Sequence, residues 1–83
     1  MLNILYFASL RETLGQGSEH LDLPTEVKDV RGLLALLIAR GGEWVKLGSV
    51  KNLRYAVNQE LARLDSPLKA GDEVAFFPPV TGG

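Results

Sequence analysis

A single helix-length apolar stripe, set between short strand-like runs, most limits how this chain can fold. Val27, Val30, Leu34, Leu37 and Ile38 recur at spacings of three, four, three and one, which draws one apolar face along a helix. Thr25, after Pro24, is the expected N-cap, and Glu26 and Asp29 add negative charge to the first turn. Arg40 in the last turn and Gly41 beyond it predict the stop. Upstream, Leu2 to Ala8 is a compact apolar run with β-favouring Ile4, Tyr6 and Phe7, and predicts a strand. Arg11 to Ser18 is polar and punctuated by Gly15 and Gly17, and predicts a loop. Glu19 to Leu23 alternates, as the second strand of a hairpin would. Downstream, strands are predicted at Leu53–Asn58 and Glu73–Phe77, with turn material from Pro67 to Asp72. Pro78-Pro79 ends any ladder. Gly41 to Lys51 has no clear period; Trp44, Val45 and Leu47 suggest a short, locally packed turn. The order β-β-α-β-β in 83 residues predicts one α+β domain over 1–77, a mixed sheet with the one long helix on one face, and a tail over 78–83.

Strand alternation then assigns faces. Leu2, Ile4 and Tyr6 share one side of the first strand, with Asn3, Leu5 and Phe7 on the other. Val74 and Phe76 oppose Glu73, Ala75 and Phe77; Leu53, Tyr55 and Val57 oppose Arg54, Ala56 and Asn58. Asn3 and Glu73 mark the wet side. One helix covers one side, so Leu5, Phe7, Ala75 and Phe77 are expected on the open side, with Leu61 joining from the following turn. A contiguous exposed patch of this kind marks a partner surface, unless the 41–51 segment folds over it or a second copy covers it.

Composition removes several functions. Nine Lys and Arg against ten Asp and Glu leave a net charge of −1, so no basic field is offered to nucleic acid or an anionic membrane. No Cys is present, which excludes disulfides, thiolate zinc sites and a Cys nucleophile. One His excludes a His-rich metal site, and no metal ligands are assigned. No apolar run approaches the ~18 residues of a membrane span, and Met1-Leu2-Asn3 lacks the basic start of a secretory signal. The cytoplasm is the expected compartment.

The C-terminal run is Phe76-Phe77-Pro78-Pro79-Val80-Thr81-Gly82-Gly83. The prolines force extended backbone, and the glycines carry no Cβ to block a narrow slot. Six residues from Pro78 reach at most ~20 Å. Such a tail can present its carboxylate inside another protein. Composition alone favours a frayed terminus over such a tail, and a terminal Gly-Gly also fits an expression scar.

This tail with Gly71-Asp72-Glu73-Val74-Ala75 before it, the start Leu5-Tyr6-Phe7-Ala8-Ser9-Leu10-Arg11-Glu12, and the middle strand Ala56-Val57-Asn58 together resemble the small subunit of molybdopterin synthase, a ubiquitin-like sulfur carrier. The resemblance implies a ubiquitin-like β-grasp fold with the first and last strands side by side in the sheet. It implies that an adenylyltransferase of the ubiquitin-activating type binds the apolar face and uses ATP to adenylate Gly83, and that a sulfur donor protein displaces AMP to leave a thiocarboxylate. The loaded tail then enters the large subunit of molybdopterin synthase and gives sulfur to cyclic pyranopterin monophosphate. In this reading Gly83 carries the sulfur, Gly82 allows passage, and Thr81, Val80 and Pro79 set the depth of the tail. Phe7, Leu61 and Phe77 are docking anchors, and Arg11 is a candidate partner contact. The chain itself binds no cofactor and donates sulfur only within the complex. Rival readings are a protein modifier joined through Gly83, a carrier for another thio-compound, and a binding module that uses only the apolar face.

Other residues point to ordinary roles. His20 on a strand reads as a surface His, and the adjacent Asp72-Glu73 pair faces opposite ways. Gly15, Gly17, Gly41 and Gly42 lack the Gly-Lys-Ser/Thr of a phosphate loop.

Overall fold

The computed structural model describes residues 1–79. The apolar alternation at each end of the chain produces two strands that need each other. β1 (Leu2–Tyr6) and β5 (Glu73–Phe77) pair in parallel, Ile4 opposite Val74 and Tyr6 opposite Phe76. β2 (Ser18–Leu21) pairs antiparallel with β1, β3 (Arg54–Val57) pairs antiparallel with β5, and β4 (Glu60–Ala62) closes a second hairpin on β3. The sheet order is β2-β1-β5-β3-β4. This is the mixed sheet expected, with the first and last strands adjacent near its centre.

The inner face carries the core. Leu2, Ile4, Tyr6, Val74 and Phe76 are buried on the sheet side, and Val30, Leu33 and Leu37 on the helix side. The helix α2 runs Val30–Ile38, shorter than its apolar stripe suggests. Its N-cap is Asp29, not Thr25: the Asp29 Oδ1 accepts from Gly32 N at 2.8 Å. The reason is tertiary. Leu68 N donates to the Lys28 carbonyl, and Asp29 bridges to Pro67, which holds Asp29 extended where the helix begins. Leu33, absent from the expected stripe, is fully buried, while Leu34 and Ile38 are only half-buried.

Two elements depart from expectation. The polar stretch after the first strand is not all loop: Ser9–Leu14 forms a short helix, α1, anchored by buried Leu10 and half-buried Leu14 and stopped at left-handed Gly15. Glu60–Ala62 is a strand rather than a turn, so the sheet has five strands and not four. The 41–51 segment contains a 3-10 helix, Gly42–Ser49, with Leu47 buried. It packs on the helix side of the sheet: Trp44 meets the Tyr6 ring edge-on at 5.4 Å, and Gly48 lies against Ile38. It therefore does not cover the open side.

A polar clamp ties the hairpin to the end of the helix. Glu19 on β2 accepts from Tyr6 Oη at 3.0 Å, from Gln16 Nε2 at 2.8 Å and from Arg40 in a two-pronged pair at 2.7 and 2.8 Å. The Arg40 guanidinium stacks over Trp44 at 4.4 Å. The Arg40 hydrogen bonds hold the Glu19 carboxyl below the usual carboxylate range. Burial, reinforced by the Glu19 charge, pushes the Tyr6 phenol far up.

Candidate docking face and tail root

Cross-strand partners share a face, so the register writes out the open side row by row. The row farthest from the tail is polar: His20, Asn3 and Glu73. The middle row runs Ser18, Leu5, Ala75, Ala56 and Leu61. At the tail end Phe77 stands opposite Arg54. Phe7 follows one residue after β1 and continues the parallel ladder, its N donating to the Phe76 carbonyl at 3.1 Å. The open side thus grades from polar to apolar to aromatic and basic toward the point where residue 78 leaves the sheet.

The three residues expected as anchors fall on the open side, where alternation places them. Phe7 is 47% exposed and Leu61 75%, and Phe77 is half-buried at the end of β5. Leu61 reaches the face as a member of β4, directly opposite Ala56. Ala75 lies on the same face yet is nearly covered, because it is a single methyl in a row flanked by Leu5 and Ala56. Arg11 sits exposed on α1, with its guanidinium end against Gly17; it is not on the sheet rows and has no ion pair among the described residues. Pro79 is half-buried. Val80, Thr81, Gly82 and Gly83 lie outside the described residues. Alternation had already put Arg54 on the open side, although its charge was not weighed as part of the site.

The polar end is held by one buried carboxylate. Asp72 is 5% exposed; its Oδ1 accepts from Asn58 Nδ2 at 3.0 Å and its Oδ2 from Lys69 N at 2.9 Å. Burial alone would raise its pKa, but the hydrogen bonds from Asn58 and the Lys69 backbone outweigh it and hold the carboxyl below the usual aspartate range. Asn58 also accepts from Glu73 N through its side chain and donates its own N to the Glu73 carbonyl. These bonds lock the β3–β4 hairpin to the start of β5. Asp72 is thus a structural group, spent on hydrogen bonds and separate from Glu73.

His20 and Glu73 share a row but have β1 between them, so strand spacing sets their backbones about 10 Å apart. No acid–base pair forms there. Among the described residues no group of three metal-ligating side chains gathers, and no helix is long and apolar enough to cross a membrane. What the described residues build is a partly exposed apolar and aromatic face at the end of β5.

The ThiS family profile matches residues 4–83. The chain belongs to the ThiS family. Over its full length it is 42% identical to the molybdopterin synthase sulfur carrier subunit of Escherichia coli K12 and 40% identical to that of Haemophilus influenzae, covering all of both proteins. Its fold matches the crystal structure of SAMP1 from Haloferax volcanii with a TM-score of 0.79 and 28% identity, over 99% of this chain and 98% of that one. The ubiquitin-like β-grasp and the kinship with sulfur carriers of molybdopterin synthase are therefore established for this ThiS-family chain.

Proposed function

We propose that this protein is the sulfur carrier subunit of a molybdopterin synthase. The observation that carries the reading is its full-length similarity to two such subunits, spanning the Phe-Phe-Pro-Pro-Val-Thr-Gly-Gly run at the end of β5. The geometry supports it. A central strand feeds the tail, and the apolar and aromatic rows beside that exit offer a partner something to grip.

The chemistry follows from the carboxylate of Gly83. A carboxylate is a poor acyl donor because oxide is a poor leaving group. Its oxygen attacks the α-phosphate of ATP on an adenylyltransferase of the ubiquitin-activating type, and pyrophosphate leaves. The terminal sulfur of a persulfide on a donor protein attacks the resulting acyl-adenylate and AMP leaves; a thiol then reduces the acyl disulfide, its S–S bond breaks, a disulfide forms on the donor side and the thiocarboxylate remains on Gly83. In the large synthase subunit this sulfur is given to cyclic pyranopterin monophosphate, and the carboxylate is restored when water supplies the oxygen. The chain binds no cofactor in this cycle. Phe7, Leu61 and Phe77 dock the partners, Arg11 is a further contact, and Pro79 to Gly82 thread the slot.

The kinship with SAMP1, a small archaeal modifier protein, favours one second reading, conjugation through Gly83 to other proteins. Deleting Gly82 and Gly83 and assaying sulfur transfer with purified large subunit and pterin precursor tests the proposal. The full chain, once loaded, should yield molybdopterin, and the truncated chain should fold but yield none. Truncated protein that still supports the reaction would overturn it, as would protein-sized conjugates of the full chain with no sulfur delivered.

A further inference from the structure

The basic end of the open face is not explained by the fold. Arg54 stands opposite Phe77. The β3–β4 register ends with Tyr55 opposite Ala62, and Arg54 precedes the one as Arg63 follows the other. Their like charges, on one groove, repel. Little on the chain offsets this repulsion. Arg54 is exposed and has no ion pair among the described residues. Arg63 reaches only Asp65, at 3.9 Å with both side chains largely in solvent, a contact of small worth. Yet Arg54 and Arg63 line one shallow groove together with Leu53, Leu61 and Leu64. Leu61 lines this groove, and its Arg54 stands opposite Phe77.

We propose that Arg54 and Arg63 dock an acidic segment of the large synthase subunit, a stretch pairing carboxylates with at least one apolar side chain and lying beside the mouth of the slot that takes the tail. The proposal rests on the carrier reading and adds to it the charge of the partner. The physical case is complementarity. Exposed guanidiniums at the edge of an apolar patch, one without an ion pair among the described residues and one only weakly paired, present fork-shaped donors suited to carboxylates, and they steer an acidic partner at low salt. The position of Arg54 opposite Phe77 would fix the direction in which the tail enters.

Binding of the full chain to the purified large subunit, measured at low and high ionic strength, tests this. Arg54→Glu and Arg63→Glu should each weaken binding about tenfold at low salt and flatten its salt dependence. Arg54→Lys with Arg63→Lys should retain most of the salt dependence. Lys28→Glu, the same charge change ahead of α2 and away from this face, should leave binding near wild type. Thermal unfolding of each variant confirms that it is folded. If the two glutamate variants bind as wild type with an unchanged salt slope, or if Lys28→Glu weakens binding as much as they do, the acidic contact is refuted while the carrier reading stands. If the wild-type chain neither binds the large subunit nor acquires a thiocarboxylate in the presence of its activating enzyme, the carrier reading itself fails.

Discussion

Phe76 and Phe77 are neighbours in sequence with opposite duties, because successive strand residues face opposite sides. Phe76 is fully buried, stacked on Tyr6 and meeting Tyr55 edge-on. Phe76→Ala should cost about 3–5 kcal/mol of stability, read from urea unfolding. Phe77→Glu should leave the unfolding midpoint near wild type and weaken binding to the large subunit by at least about 2 kcal/mol, as loss of an interface anchor does. A Phe77→Glu chain that unfolds would refute the face assignment. Glu19 makes the second prediction at this scale. Its folded-state pKa is depressed by Arg40, so it stabilises the fold at pH above its ordinary value of about 4.3, and that contribution is lost as pH falls through the lower folded value. Glu19→Gln should therefore cost stability at neutral pH and make the loss of stability on acidification shallower. An unchanged slope between wild type and Glu19→Gln would show that the clamp carries no such linkage.

Elements were legible where they are long or two-sided and obscure where they are short. β5 was readable to the residue because alternation, the Asp72 turn before it and Pro78 after it all agree. The inner and outer faces of β1, β3 and β5 were readable for the same reason. β4 was not: it has three residues, and its turn lacks the glycine that usually announces a hairpin. Asn58 and Gln59 both take positive φ, 51° and 70°, with Asn58 held by Asp72 and Glu73. Gln59→Gly should accordingly stabilise the protein by about 0.5–1 kcal/mol in urea unfolding, since glycine adopts this backbone without strain. Lower stability would mean that the Gln59 side chain contributes more than its backbone costs. α1 was hidden because six residues fall short of two helical periods, and its start depends on a positive φ at Ala8 that the sequence does not advertise. The Asp29 cap was hidden because contacts from residues 67 and 68, far along the chain, hold Asp29 extended.

For the whole molecule, the open side was visible from one fact, that a single helix covers one face of a sheet. The structure adds that the 3-10 segment packs on the helix side with Trp44, which leaves the face open in the free chain. Alternation put Arg54 on this side, and the structure adds Arg63, just after β4, on the same groove. The absence of cysteine takes on meaning at this scale. A sulfur carrier without a thiol cannot hold a persulfide, so its cargo must sit on an acyl group. The most direct test is the intact mass of the protein after incubation with its activating enzyme, ATP and a sulfur source. The account predicts a mass increase equal to one oxygen exchanged for sulfur, localised to Gly83 and absent when Gly82 and Gly83 are deleted. An unchanged mass under conditions where the enzyme consumes ATP with this chain, or sulfur found elsewhere than at Gly83, would contradict it.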